Sequence, residues 1–216
     1  MKMFRTSIFC AALCVSSLSQ AVLMDFEDFS DSNTVEGTLS SFTSGGLTAS
    51  LTAGSTQGGT NYDPYLDYGN AGVGVCKNST AAAIVGSGRN NKCRTPDNTA
   101  GAAGDDNLQY MEFLRLDFNE VVTITDIFFR DSHHNNLNGS VLFSVDGVAF
   151  GSGATFANGL SQGLTFTGTT LDITIASGAQ ELYLSRLNVQ SVPEPGSLVL
   201  LAMGLIGLGA ARKKVK

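Results

Sequence analysis

Tryptophan is absent from this 216-residue chain, and proline (4), cysteine (4) and histidine (2) are scarce. Without tryptophan, any stacking on sugar rings falls to tyrosine. Two adjacent histidines, His133 and His134, are too few for a zinc site, which needs three or four convergent ligands. Neighbours on an extended chain also point to opposite faces. No segment between the two ends has long helical apolar spacing with caps, which excludes a helical bundle. Basic residues are the scarcer charge in the middle. From Val22 to Val192 there are 18 acidic and 7 basic side chains, a net charge of −11. So acidic a surface repels polyanions and excludes nucleic acid as a partner.

What the middle does contain is period-two alternation. Leu114, Leu116 and Phe118 alternate with Arg115 and Asp117, and Leu171, Ile173 and Ile175 with Asp172 and Thr174. Val141, Phe143 and Val145 lead into Asp146-Gly147 and then Val148-Ala149-Phe150, a strong hairpin signal. Further strands are expected over Val22–Phe29, Thr38–Phe42, Gly46–Ala53, Val121–Arg130, Leu164–Thr167 and Glu181–Gln190. Short strands with turn signals between them predict an all-β, jelly-roll-like β-sandwich over 22–192. The stretch from Gly54 to Gly104, rich in Gly, Asn, Thr and Ala, is too long for a plain loop. It is expected to hold one or two irregular strands and a surface excursion.

The ends have a different character. Lys2 and Arg5 precede a mostly apolar stretch to Leu18, and Ser19-Gln20-Ala21 supplies small residues before Val22. That order predicts a signal peptide over 1–21, cleaved between Ala21 and Val22. At the other end Val192-Pro193-Glu194-Pro195 leads into 16 uncharged residues and then Arg212-Lys213-Lys214-Val215-Lys216. The apolar stretch predicts a single transmembrane helix, slightly short and completed by snorkelling cations, with the basic end cytoplasmic.

This tail over 193–216 resembles the PEP-CTERM sorting signal of Gram-negative bacteria. The resemblance implies exosortase as a partner, cutting near the Pro-Glu-Pro motif and delivering the product to the outer surface or extracellular polysaccharide. The middle also resembles, more loosely, the β-sandwich ectodomains of PEP-CTERM proteins. These open with an acidic-aromatic run like Asp25-Phe26-Glu27-Asp28-Phe29 and carry a central run like Glu112 to Phe118.

Candidate chemistry is sparse. Cys76 and Cys93 are the cysteines left after signal removal, and an oxidising compartment favours their disulfide. Glu27, Asp28, Asp105, Asp106 and Asn107 offer oxygen ligands for a structural Ca²⁺. Tyr62, Tyr65 and Tyr68, beside Asp63 and Asp67, offer a sugar-stacking loop. Gly159-Leu160-Ser161-Gln162-Gly163 matches a nucleophile elbow in letters, but a strand pattern follows where a helix is required. The pairs Thr123-x-Thr125 and Thr165-x-Thr167 are what solvent-facing strands supply.

The reading favoured is a non-catalytic structural or adhesive protein of the cell surface, extracellular matrix or biofilm. A carbohydrate-binding module, with or without calcium, is the alternative. A secreted hydrolase comes third, because no convergent Ser/His/Asp or paired-carboxylate set is legible.

Overall fold

A computed structural model describes residues 20–58, 61–77, 93, 106–149, 154–161, 165–175, 180–192 and 204. The expected strand over Val22–Phe29 is shorter than its alternation suggests. Strand β1 (Ala21–Asp25) ends where helix α1 (Phe26–Asn33) begins. Asp25 caps the helix by accepting from the Asp28 amide at 2.8 Å, and Glu27 and Asp28 lie in its first turn, where acidic groups favour the helix dipole. The acidic-aromatic run therefore starts a helix as soon as its first carboxylate is free to cap.

The remaining strands in chain order are β2 (Gly37–Thr38), β3 (Ser41–Ser44), β4 (Leu47–Ser55), β5 (Tyr62–Asp67), β6 (Gly72–Lys77) and β7 (Glu112–Asp131). They continue with β8 (Gly139–Val145), β9 (Val148–Ala149), β10 (Ala154–Ala157), β11 (Leu160–Ser161), β12 (Phe166–Thr174) and β13 (Leu182–Ser191). Every described pairing between strands is antiparallel. The all-β class is thus observed among the described residues of the body, with the short helix α1. Hydrogen bonds join the 13 described strands into one sheet rather than two separate ones. The long strand β7 is the reason. Its first half pairs with β4 and its second with β13, while β12 borders parts of both halves.

Inside β7 the buried side switches. Leu114, Leu116, Phe118, Val122 and Ile124 point inward, then Ile127 and Phe129 do. The register against β13 shifts across Thr125, where an inserted residue reverses which side chains face the core. A second shift leaves Ser185 unpaired between Leu184 and Arg186, fully buried and free to point at the helix. Around the closed run β7, β12, β8, β10 and β11, the buried rings of Phe129, Phe143, Phe156 and Phe166 pack with centroids 4.9–6.3 Å apart.

The Asp146-Gly147 turn joins β8 to β9, both residues having positive φ (48° and 78°), as a tight hairpin turn of this sequence demands. Asp146 has a second task. Its Oδ1 accepts from the amides of Thr169 (2.9 Å) and Thr170 (2.8 Å), where β12 bulges against β7. These bonds hold its carboxyl below the usual range. Asp146→Ala should lower stability by less than about 1 kcal/mol, because water screens the group, and Asp146→Asn by less still. A depressed folded pKa means that this contribution is present above the unfolded value and is lost as pH falls through the folded one. Urea unfolding at neutral and acidic pH should show the difference between wild type and Asp146→Ala shrinking in acid.

Candidate functional site

Strands β5 and β6 are buried on both faces over most of their length, as is the start of β13. That double burial takes Asp67, at the end of β5, out of water with it (8 % exposed). Asp106 (4 % exposed) reaches the same place from another direction. The Leu108–Leu182 bridge, with N–H to carbonyl bonds of 2.8 and 3.1 Å, anchors its segment to the start of β13. Its backbone lies so close to Gly74 that a Cβ there would overlap the Asp106 carbonyl. Glu36, between α1 and β2, completes the group. One carboxylate oxygen from each of Glu36, Asp67 and Asp106 lies within 4.8 Å of the others.

Two buried tyrosines and a histidine frame these acids. The Tyr65 hydroxyl donates to Glu36 Oε1 at 3.0 Å, and the Tyr183 hydroxyl to Asp106 Oδ1 at 2.6 Å. Asn107 Nδ2 donates in turn to the Tyr183 hydroxyl at 3.3 Å. His134 sits edge-on to Tyr183, with its Nε2 3.0 Å from Asp67 Oδ2 and its Nδ1 2.6 Å from the Gly69 carbonyl. A carbonyl only accepts, so Nδ1 carries a proton, and the carboxylate at Nε2 favours a second one. The Asp67 hydrogen bond accordingly raises the His134 pKa. Burial first, then the charges of Asp67 and Glu36, push Asp106 up to about 7. Burial also raises the Tyr183 hydroxyl. The arrangement brings three carboxylates together in a mostly buried place.

The second region of note is the end of the folded body. The ladder of β13 closes at Ser191, and the Val192 amide makes the last bond among the described residues, to the Val121 carbonyl at 3.0 Å. Pro193 has no amide to continue it. Comparison with known protein families matches residues 191–214 to the PEP-CTERM protein-sorting motif. The chain thus carries a PEP-CTERM sorting motif at its C-terminal end. No curated protein and no solved structure matches it.

The PEP-CTERM motif marks an exported protein sorted by exosortase to the cell surface or extracellular space. Of its sorting residues, Val192 is described and partly exposed (37 %), while Pro193, Glu194, Pro195, Arg212, Lys213 and Lys214 lie outside the described residues. No helix among the described residues is long and apolar enough to cross a membrane, and the segment expected to do so falls outside them, Gly204 aside. The expected signal peptide lies outside them up to Ser19. Ala21 and Val22, the expected cleavage pair, open β1, so cutting there removes only the first pairing of its ladder, Ala21 with Gln190.

The disulfide between Cys76 and Cys93 is formed, with both residues fully buried against Tyr65. The expected calcium ligands do not come together as a set. Glu27, on α1, is held by Arg130 and Ser185. Asp28 spends its amide on the helix cap, and its carboxylate accepts from Ser32. Asp105 is outside the described residues. Asp106 alone of the five joins the acidic group, with Asn107 beside it. The tyrosine loop is instead strand β5. Tyr65 is fully buried, Tyr62 is half-buried and covered by Lys77 at 5.5 Å, and Tyr68 is half-buried just past the strand. No exposed row of rings remains among these three. Ser161 lies in the two-residue strand β11 and not at a strand-to-helix turn. Sequence reasoning missed Glu36 and Tyr183 as site members, and placed Asp67 only beside the tyrosines, because their segments meet only through the sheet.

Proposed function

We propose that the body over 20–192 is a non-catalytic structural or adhesive component of the cell surface or extracellular matrix, delivered by exosortase. The observation that carries this reading is the junction at Val192. The last described hydrogen bond of the sheet falls one residue before the Pro-Glu-Pro motif, so a cut there would leave the described sheet intact. The chemistry of the body supports it. Both ring nitrogens of His134 are engaged by Asp67 and Gly69, and Ser161 is part of strand β11. In this reading the sheet folds over its own core as a jelly-roll-like sandwich. A signal peptide brings the chain to the inner membrane, and the tail crosses it as a helix until processing. Extracellular polysaccharide is the proposed setting, retained by the acidic, disulfide-tied body without a dedicated sugar platform.

Mass spectrometry of the protein recovered from an exosortase-positive host should find an N-terminus at Val22 and a C-terminus near Pro195. The same chain from an exosortase-deleted host should keep its tail. Recovery of the full tail from the exosortase-positive host would end the sorting reading. Hydrolysis of an ester, peptide or glycoside panel, abolished by His134→Ala, would end the non-catalytic one.

A further inference from the structure

Tyr110 is the one exposed Phe or Tyr among the described residues, so no row of rings is offered to a sugar chain. Hydrogen bonds can hold a sugar without such a row, and the outer face of the sheet has a recess built for them. Its volume is about 320 Å³, at the lower end for small-molecule sites. Four neighbouring strands line it. Leu23 of β1, Asn188 of β13 and Asp126 of β7 stand opposite one another in one row across the strands. Arg186 of β13, Phe128 of β7 and Leu160 of β11 form the next row. Leu23 is 47 % exposed and Leu160 37 %, so both apolar walls stay open to a ligand.

Arg186 is the unusual member. Its guanidinium lies over the Phe128 ring, 4.4 Å from the centroid, and is only half-exposed. Among the described residues it makes no hydrogen bond or ion pair, so a rigid, ring-backed fork of N–H donors faces the recess unspent. Acceptors stand beside it. Asn188 Nδ2 donates to Asp126 Oδ2 at 3.0 Å, and the Thr125 hydroxyl to the same oxygen at 3.2 Å. That leaves Asp126 Oδ1 and Asn188 Oδ1 without a described donor.

Charge selects the ligand. The recess itself holds one cation, Arg186, and one anion, Asp126. Beside it Arg130 is paired with Glu27, and Asp25 stands opposite Arg186 on β1. An anionic ligand would meet Asp126 and a cationic one Arg186. A hydroxyl both donates and accepts, so neighbouring hydroxyls satisfy a donor-only guanidinium and an acceptor-only carboxylate together. We propose that this recess binds one uncharged sugar unit of an extracellular polysaccharide. Arg186 donates to its hydroxyl oxygens, Asp126 Oδ1 and Asn188 Oδ1 accept from its hydroxyls, and Leu23 and Leu160 cover its C–H faces. The assignment rests on the extracellular setting proposed for the body. Tail processing is read by mass spectrometry and sugar binding by titration, so either can fail while the other stands.

The test uses the full chain, purified in a detergent without a sugar headgroup and labelled with ¹³C on its leucine methyls. It is titrated by NMR with the methyl glycosides of glucose, galactose and mannose. At least one should bind with a dissociation constant on the order of 1 mM, as few ligand atoms at an open site allow. The Leu23 and Leu160 methyl resonances should shift, and those of the core residues Leu114 and Leu171 should not. Glucuronate, which adds a carboxylate, should bind at least about tenfold more weakly. Arg186→Met and Asp126→Ala should each weaken binding at least about tenfold. Tyr62→Phe, on β5, should leave it unchanged. Should a variant fail to fold, the leucine shifts of the wild-type chain decide alone. No binding of any of the three glycosides at about 50 mM, roughly fifty times the expected constant, overturns the proposal. So does binding that both recess variants leave intact, or that leaves Leu23 and Leu160 unshifted. Tighter binding of glucuronate overturns it too, as does tighter binding of the blocked peptide acetyl-Leu-Gly-methylamide, which would assign the recess to a peptide.

Discussion

Glu27→Ala should cost about 3 kcal/mol of unfolding free energy, because it strands Arg130 in a place only 17 % exposed. The pair is bidentate, with Arg130 Nη2 2.7 Å from Oε1 and Nε 3.1 Å from Oε2. Ser185, the bulged residue of β13, donates to the same Oε2. One carboxylate therefore joins α1 to β7 and β13. Removing it leaves a guanidinium with Asn136 and the Phe128 face as its remaining described partners. Arg130→Ala should cost a similar amount, and the double variant less than the two together. Burial by itself would raise the Glu27 pKa. The Arg130 and Ser185 bonds outweigh it, and the folded value lies below the ordinary one of 4.5. The stability from this pair is then present above the unfolded pKa and is lost as pH falls through the folded one. Urea unfolding of wild type and Glu27→Gln from pH 7 downward should show the wild-type advantage shrinking in acid. A Glu27→Ala protein as stable as wild type would mean that α1 is not held by this pair.

Removing the disulfide should cost about as much. The Cys76–Cys93 bridge closes a separation of 17 residues, for which restriction of the unfolded chain contributes about 3 kcal/mol. Cys76→Ala/Cys93→Ala should lower the denaturant midpoint by the corresponding amount, and a reductant should do the same to wild type and nothing to the variant. There is a local consequence as well. Tyr65 packs on the bridge and donates to Glu36 Oε1. Loss of the bridge should loosen Tyr65 and, through its hydrogen bond, Glu36.

How much could be read without coordinates differs by region for physical reasons. The β8–β9 hairpin was legible because Asp146-Gly147 supplies two positive-φ residues between alternating apolar ones, and such a signal is complete within a few residues. Strands β4, β7, β12 and β13 were legible because one wet and one dry face impose period two. The helix α1 hid behind a run that reads equally well as a strand. The cap that decides it, Asp25 to Asp28, competes with pairing that is settled only when β1 runs out of partner on β13. The acidic group was least legible. Glu36, Asp67 and Asp106 come from three separate segments, and none has a neighbour whose spacing betrays the others.

By itself, then, the sequence determined the destination and the class of structure. Export and sorting reside in short linear signals that a processing enzyme reads as extended chain, and alternation is a local property of a half-buried strand. Tertiary structure alone decided which carboxylates meet and which described ones pair with arginine. Charge placement in a folded sheet depends on register and bulges, and a shift of one residue turns a side chain from water to core.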